Sequence, residues 1–143
     1  MAGRHSMRIL IVEDEAIVAF SIDDALTSAG QTVVGIARDE SNAMRLAEMY
    51  RPDLALVDFN LAHGGSGAAV AQSLRERYGI PAIFVSGFPI DCRRVSSHIG
   101  ALGCLSKPFE DDDLLESIAV AEAVLGGESP AHLPKGLELY MVV

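Results

Sequence analysis

Five residues that could do chemistry stand just past short apolar runs. Glu13 and Asp14 follow RILIV (8–12), Asp58 follows LALV (54–57), and Ser86 follows AIFV (82–85). Lys107 comes two residues after ALGCL (101–105), immediately before Pro108. Singly, each has an ordinary role. Asp14 could cap a helix, Glu13 and Lys107 could be solvated, and Asp58 and Ser86 could close turns. Brought close, the three acids would repel one another unless a cation joined them. Hard carboxylate oxygens suit Mg2+. A carboxylate can form an aspartyl phosphate, while metal, ammonium and hydroxyl cover the phosphoryl oxygens. Asp58 is thus the candidate nucleophile. Glu13, Asp14 and Asp58 are the candidate metal ligands, and Lys107 and Ser86 the candidate phosphoryl contacts.

The intervening segments say how five such residues would meet. RILIV, TVVGIA (32–37), LALV, AIFV and ALGCL read as strands. They are continuous apolar runs rather than alternating ones, as expected of parallel strands covered on both faces. Helical spacing separates them. The predicted apolar faces are Val18, Ile22, Ala25, Leu26 and Ala29; then Ala43, Leu46, Ala47 and Tyr50; then Val70, Ala71, Leu74 and Tyr78. The fourth helix has only Val95 and Ile99 in register and is expected to be short or mobile. The fifth carries Leu114, Ile118, Ala121 and Leu125, with acids in its first turn, where the helix dipole favours them. Five βα units in succession imply an α/β fold, a doubly wound five-stranded parallel sheet flanked by helices. Sites in such sheets form at the carboxyl ends of the strands, where all five residues fall.

Residues 7–126 are expected to form this domain, and 127–143 a C-terminal tail too short for a second domain, leaving no effector domain. The apolar, β-rich LELYMVV (137–143) could add an edge strand, join two chains into a homodimer, or be a disordered end. A formal charge of −9 over 143 residues repels phosphate backbones and anionic lipid, so neither nucleic acid nor membrane is an expected partner. The two cysteines, Cys92 and Cys104, make no C-x-x-C pair, which fits a reducing cytoplasm rather than a disulfide scaffold.

The chain resembles the receiver domain of bacterial two-component response regulators. The matching pieces are ILIVEDE, PDLALVDFNL, IFVSG and LSKPF. The resemblance implies a flavodoxin-like (βα)5 fold and an Mg2+ site at Glu13 and Asp14. It implies Asp58 as phosphoacceptor and the Asn60 backbone carbonyl as a further metal ligand. Ser86 stands at the family's hydroxyl position and Lys107 at its lysine, with Lys107-Pro108 expected to be cis. The implied partners are a sensor histidine kinase or phosphotransfer protein and a downstream protein.

Two departures bear on switching. Family members usually carry Tyr or Phe three residues before the lysine, and here Cys104 stands there, expected to be a small buried residue. Ala62 replaces the usual Pro after the phosphoacceptor loop's Met or Leu. FVSGFP (84–89) resembles the motif of the FAT GUY receiver subgroup, which also lacks the aromatic. Gly87 is expected to supply switch flexibility. Phe88 is either core packing under the fourth helix or a shield limiting water at the site mouth. His63, in the loop after Asp58, is assigned no role.

Within the resemblance, the chain either signals to a protein partner or acts as a phosphorelay shuttle or phosphate sink. A flavodoxin-like cofactor domain is a further alternative, but it needs a hydroxyl- and glycine-rich loop after the first strand, where Glu13-Asp14-Glu15 would repel phosphate. A haloacid-dehalogenase-type phosphatase would carry its nucleophilic Asp after the first strand rather than the third.

Overall fold

In the computed structural model, residues 6–61 and 65–140 are described; Ala62 and His63 lie outside them. The chain alternates β1 (Arg8–Val12), α1 (Ala16–Ser28), β2 (Thr32–Ala37), α2 (Glu40–Tyr50), β3 (Leu54–Asp58) and α3 (Gly67–Tyr78). It continues through β4 (Ala82–Ser86), α4 (Pro89–Ile99), β5 (Gly103–Ser106), α5 (Asp111–Leu125) and β6 (Leu137–Leu139). The strand order is β2-β1-β3-β4-β5-β6. Strands β1 to β5 are parallel. The order reverses between β1 and β3, which opens a crevice at their carboxyl ends.

Side chains along each strand point to alternate faces, and both faces are covered. Leu10, Val12, Ala55, Val57 and Phe84 face one core with Ala43, Ala47, Val70 and Leu74 of α2 and α3 and with Cys92 of α4. Ile9, Ile11, Leu54, Leu56 and Ile83 face the other, with Ile22 and Leu26 of α1 and Leu114 and Ile118 of α5. That two-sided burial is why the strand sequences do not alternate. No helix among the described residues is long and apolar enough to cross a membrane.

The sheet has six strands rather than the expected five. The tail returns as β6, antiparallel to β5, with Gly103 opposite Leu139 and Leu105 opposite Leu137. A Cβ on Gly103 would lie 2.3 Å from the Glu138 carbonyl oxygen, so glycine there is what lets β6 approach. Of the fates expected for LELYMVV, its first residues add an edge strand within the chain.

The helix faces are rotated slightly from expectation. Met44 is buried in α2, while Tyr50 is 41% exposed; Val120 and Val124 are buried in α5, while Leu125 is 45% exposed. Helix α4 is not short: it runs eleven residues, started by Pro89 at its first turn and closed by Gly100 in the left-handed region. Its apolar register is weak because its buried side includes Cys92 and Ser96 beside Ile99.

Candidate functional site

The expected residues meet at the carboxyl ends of β1, β3, β4 and β5. Glu13 and Asp14 directly follow β1, Asp58 and Ser86 are the last residues of β3 and β4, and Lys107 directly follows β5. Parallel pairing sets Asp58 opposite Val85 and Ser86 opposite Ser106, which aligns these ends. The Lys107 N–H donates to the Ser86 carbonyl at 2.8 Å, and the Lys107-Pro108 bond is cis, as expected. Asp14 is not the cap of α1; that position is Glu15, whose side chain makes no cap hydrogen bond.

Glu13, Asp14 and Asp58 are all buried, and each offers a carboxylate oxygen within 4.8 Å of the others. Lys107 Nζ lies 3.6 Å from Asp58 Oδ2 and 3.8 Å from Glu13 Oε1. The Lys107 ammonium offsets part of the negative charge of this cluster. Burial, and then the neighbouring Asp58 carboxylate, push Glu13 up to about 7, against the opposing pull of the Glu15 N–H and Lys107. A small hard cation fits this donor set: its oxygens are carboxylates, and they converge.

The sign of the pH dependence follows. The Glu13 carboxyl is protonated more readily in the folded chain than at its ordinary 4.5. Its contribution to metal-free stability is therefore full below about pH 4.5 and lost as pH rises through about 7. A divalent cation must displace that proton, so its affinity should fall about tenfold per pH unit below 7. Thermal melts at about pH 5.5 and about pH 8, with and without Mg2+, should show stabilisation by the metal chiefly at the higher pH. Equal stabilisation at both would contradict this picture.

Asp58 closes a turn and also faces the lysine. Its Oδ1 accepts the Asn60 N–H at 3.0 Å, the turn-closing bond of an Asx turn, while Oδ2 faces Lys107. Asn60 itself meets the site through its N–H and through its side-chain oxygen, which accepts from the Ser86 hydroxyl at 3.4 Å. Ser86 Oγ also accepts the Phe88 N–H at 2.8 Å, so the hydroxyl is held in the β4–α4 loop.

The switch residues separate. Phe88 is 63% exposed at the start of α4, which excludes the core-packing alternative. Cys104 is buried, as expected. Gly87 is not in the left-handed region, and a Cβ there would touch nothing within 4 Å. A Gly87→Ala change should therefore alter stability by less than about 0.5 kcal/mol in urea titration. If Gly87 matters for switching, its effect should appear in loop dynamics and not in fold stability.

One residue at the site escaped sequence reasoning. Gly67 opens α3, and its N–H donates to the Phe59 carbonyl at 3.3 Å, beside an antiparallel bridge between Asn60 and Ser66. A Cβ on Gly67 would lie 2.1 Å from the Asp58 carbonyl oxygen. Nothing in the spacing of HGGSG marks which glycine bears the close approach.

Comparison with known proteins bears on this geometry. A family profile described as the response regulator receiver domain matches residues 9–119. The phyllosphere-induced regulator PhyR of Methylorubrum extorquens is 34% identical over 90 residues, covering 62% of this chain and 34% of that protein. The transcriptional regulatory protein PdtaR of Mycobacterium tuberculosis is 31% identical over 115 residues, 80% of this chain and 56% of that one. The chain thus spans from a third to just over half of the length of these relatives. Among solved structures, the signal receiver domain of a modulated diguanylate cyclase from Desulfovibrio desulfuricans has a TM-score of 0.74 at 31% identity, covering 82% of this chain and 94% of that one. The anti-anti-sigma factor PhyR from Bartonella quintana has a TM-score of 0.76 at 28% identity, covering 88% and 51%.

Proposed function

The chain belongs to the response regulator receiver domain family, and from that premise we propose that it accepts a phosphoryl group on Asp58 and signals by conformational change to a protein partner. The donor is a sensor histidine kinase or a phosphotransfer protein. The carrying observation is the convergence of three buried carboxylates within 4.8 Å, with Lys107 Nζ 3.6 Å from Asp58 Oδ2.

An Asp58 carboxylate oxygen attacks phosphorus; the new P–O bond forms as the P–N bond to the donor histidine breaks, and the histidine nitrogen keeps the electron pair. Mg2+ held by Glu13, Asp14, Asp58 and the Asn60 backbone carbonyl would supply the positive charge that the phosphoryl oxygens need. Lys107 then leaves its ion pairs for a phosphoryl oxygen. Ser86 exchanges its bond to Asn60 for another phosphoryl oxygen, which moves the loop carrying Gly87 and Phe88. Phe88, exposed at the rim, limits water reaching the acyl phosphate. The only reactions of the domain are its own phosphorylation and dephosphorylation.

The PhyR likenesses fit the FAT GUY subgroup expected from FVSGFP. They favour a protein rather than a nucleic acid as the downstream partner, one in the manner of an anti-sigma factor. A relay or sink role would differ in handing the phosphoryl group on to a second histidine protein.

The test is intact-mass measurement after incubation with Mg2+ and acetyl phosphate. One phosphoryl group per chain is expected, absent with a chelator and absent in Asp58→Ala. Catalytic turnover of a generic phosphate ester, or labelling that survives Asp58→Ala, would overturn the assignment.

A further inference from the structure

The two cysteines of the chain are brought together by the fold. Cys92 lies in the first turns of α4 and Cys104 in β5, twelve residues apart, with their sulfurs 2.9 Å from each other. Both are buried, at 0% and 1% exposure. A disulfide closes at about 2.05 Å, so less than 1 Å of relative movement separates the contact from a bond. We propose that Cys92 and Cys104 are a redox site at which a hydroperoxide closes a reversible disulfide, fastening α4 to β5.

The chemistry balances. A hydroperoxide oxidises one thiol to a sulfenic acid and is itself reduced, releasing water or alcohol. The second sulfur attacks the sulfenic sulfur, the S–S bond forms, and the oxygen leaves as a second water. Two thiols thus lose two protons and two electrons to one peroxide. The hydrogen bond between the thiols, and then burial, hold Cys92 above the ordinary thiol range; the same bond holds Cys104 below it. Either sulfur can take the oxygen first, since the other lies within reach to resolve it.

Access to the buried pair comes by local opening of α4, which Arg93 also ties to Glu138 of β6 at 3.0 Å. Its first residue boundary, Phe88, provides no side-chain cap, and Ile90 is 65% exposed. Its buried face mixes Ile99 with Cys92 and Ser96, and Ser96 spends its hydroxyl on the Cys92 carbonyl of its own helix. An element with so little apolar burial opens locally at low free-energy difference. Cys92 also neighbours the site already described, since the Ser86 side chain acts on its thiol. On the receiver reading of that site, a bond from Cys92 to Cys104 would restrain the helix that must move with Ser86, so oxidation would blunt the response to phosphorylation.

The experiment uses the whole reduced chain and hydrogen peroxide, with no phosphodonor. The protein should become two hydrogens lighter, remain monomeric on a non-reducing gel, and yield a linked peptide pair spanning residues 92 and 104. A dithiol should restore both thiols, and amide exchange across residues 89–99 should slow about tenfold in the oxidised form. Cys92→Ala and Cys104→Val should each abolish the mass loss; the peptide mapping of the unaltered chain stands even if one variant folds poorly. Oxygen added to one cysteine while the other stays free, covalent dimers, or two intact thiols at peroxide levels that oxidise free cysteine would each overturn the proposal. Phosphoryl labelling of the reduced chain is a separate readout, so failure of the receiver reading would leave the disulfide result interpretable on its own.

Discussion

Replacing Asp58 with Asn should leave no detectable covalent phosphate after incubation with Mg2+ and acetyl phosphate, while raising the stability of the metal-free protein. The first effect is all or none, because an amide is no nucleophile toward phosphorus at neutral pH. The second comes from charge. Asp58 is 4% exposed and shares its crevice with the carboxylates of Glu13 and Asp14, with the Lys107 ammonium beside it. Removing one of three clustered negative charges should stabilise by about 1–2 kcal/mol, well below the unscreened interior limit. Asn keeps the side-chain oxygen that accepts the Asn60 N–H, so the turn stays closed. The rise in melting temperature with magnesium should shrink in the same variant, since one carboxylate oxygen and its negative charge are lost. Loss of labelling together with a large loss of stability would point instead to a structural role for Asp58.

Gly67→Ala should be the most damaging single methyl at the site. The added Cβ would sit 2.1 Å from the Asp58 carbonyl oxygen, 2.8 Å from the Phe59 Cα and 2.9 Å from the Asp58 carbonyl carbon. All three are backbone atoms that cannot rotate away. The φ of Gly67 is not in the left-handed region, so the penalty is contact and not conformation. Relief requires moving either α3 or the end of β3. We expect destabilisation of about 3 kcal/mol in urea titration, at the upper end for an overpacked position. Labelling with acetyl phosphate should slow as well, because the displaced backbone is that of Asp58, the proposed phosphoacceptor. Wild-type stability in Gly67→Ala would mean that the loop between Asn60 and Ser66 gives way at little cost. The contrast with Gly87→Ala, expected to be silent in the same titration, separates close approach from composition.

Much of this molecule could be read before any coordinates. Runs such as RILIV and LALV lack alternation because both sheet faces are covered, and the spacing between them has helical period. Both patterns are local, so they are legible residue by residue. Chain order then puts Glu13, Asp14, Asp58, Ser86 and Lys107 at one edge, because consecutive parallel strands all end on the same side. The departures at Cys104 and FVSGFP were visible too, as residue types at expected positions.

What escaped was every feature that depends on how closely distant backbones approach. The tail could pair or not as far as its composition went; Gly103 admits it as β6, because a side chain there would strike the Glu138 carbonyl. Gly67 looked like one of several loop glycines until its distance to Asp58 was known. Cys92 and Cys104 carried no pairing signal, and only the docking of α4 on β5 set their sulfurs side by side. The sequence by itself determined the order of elements and the chemistry at their ends, since these follow from short-range periodicity and strand polarity. Only the tertiary structure decided which small residues are irreplaceable and which side chains touch, since those are set by interatomic distances between segments whose separation along the chain carries no such information.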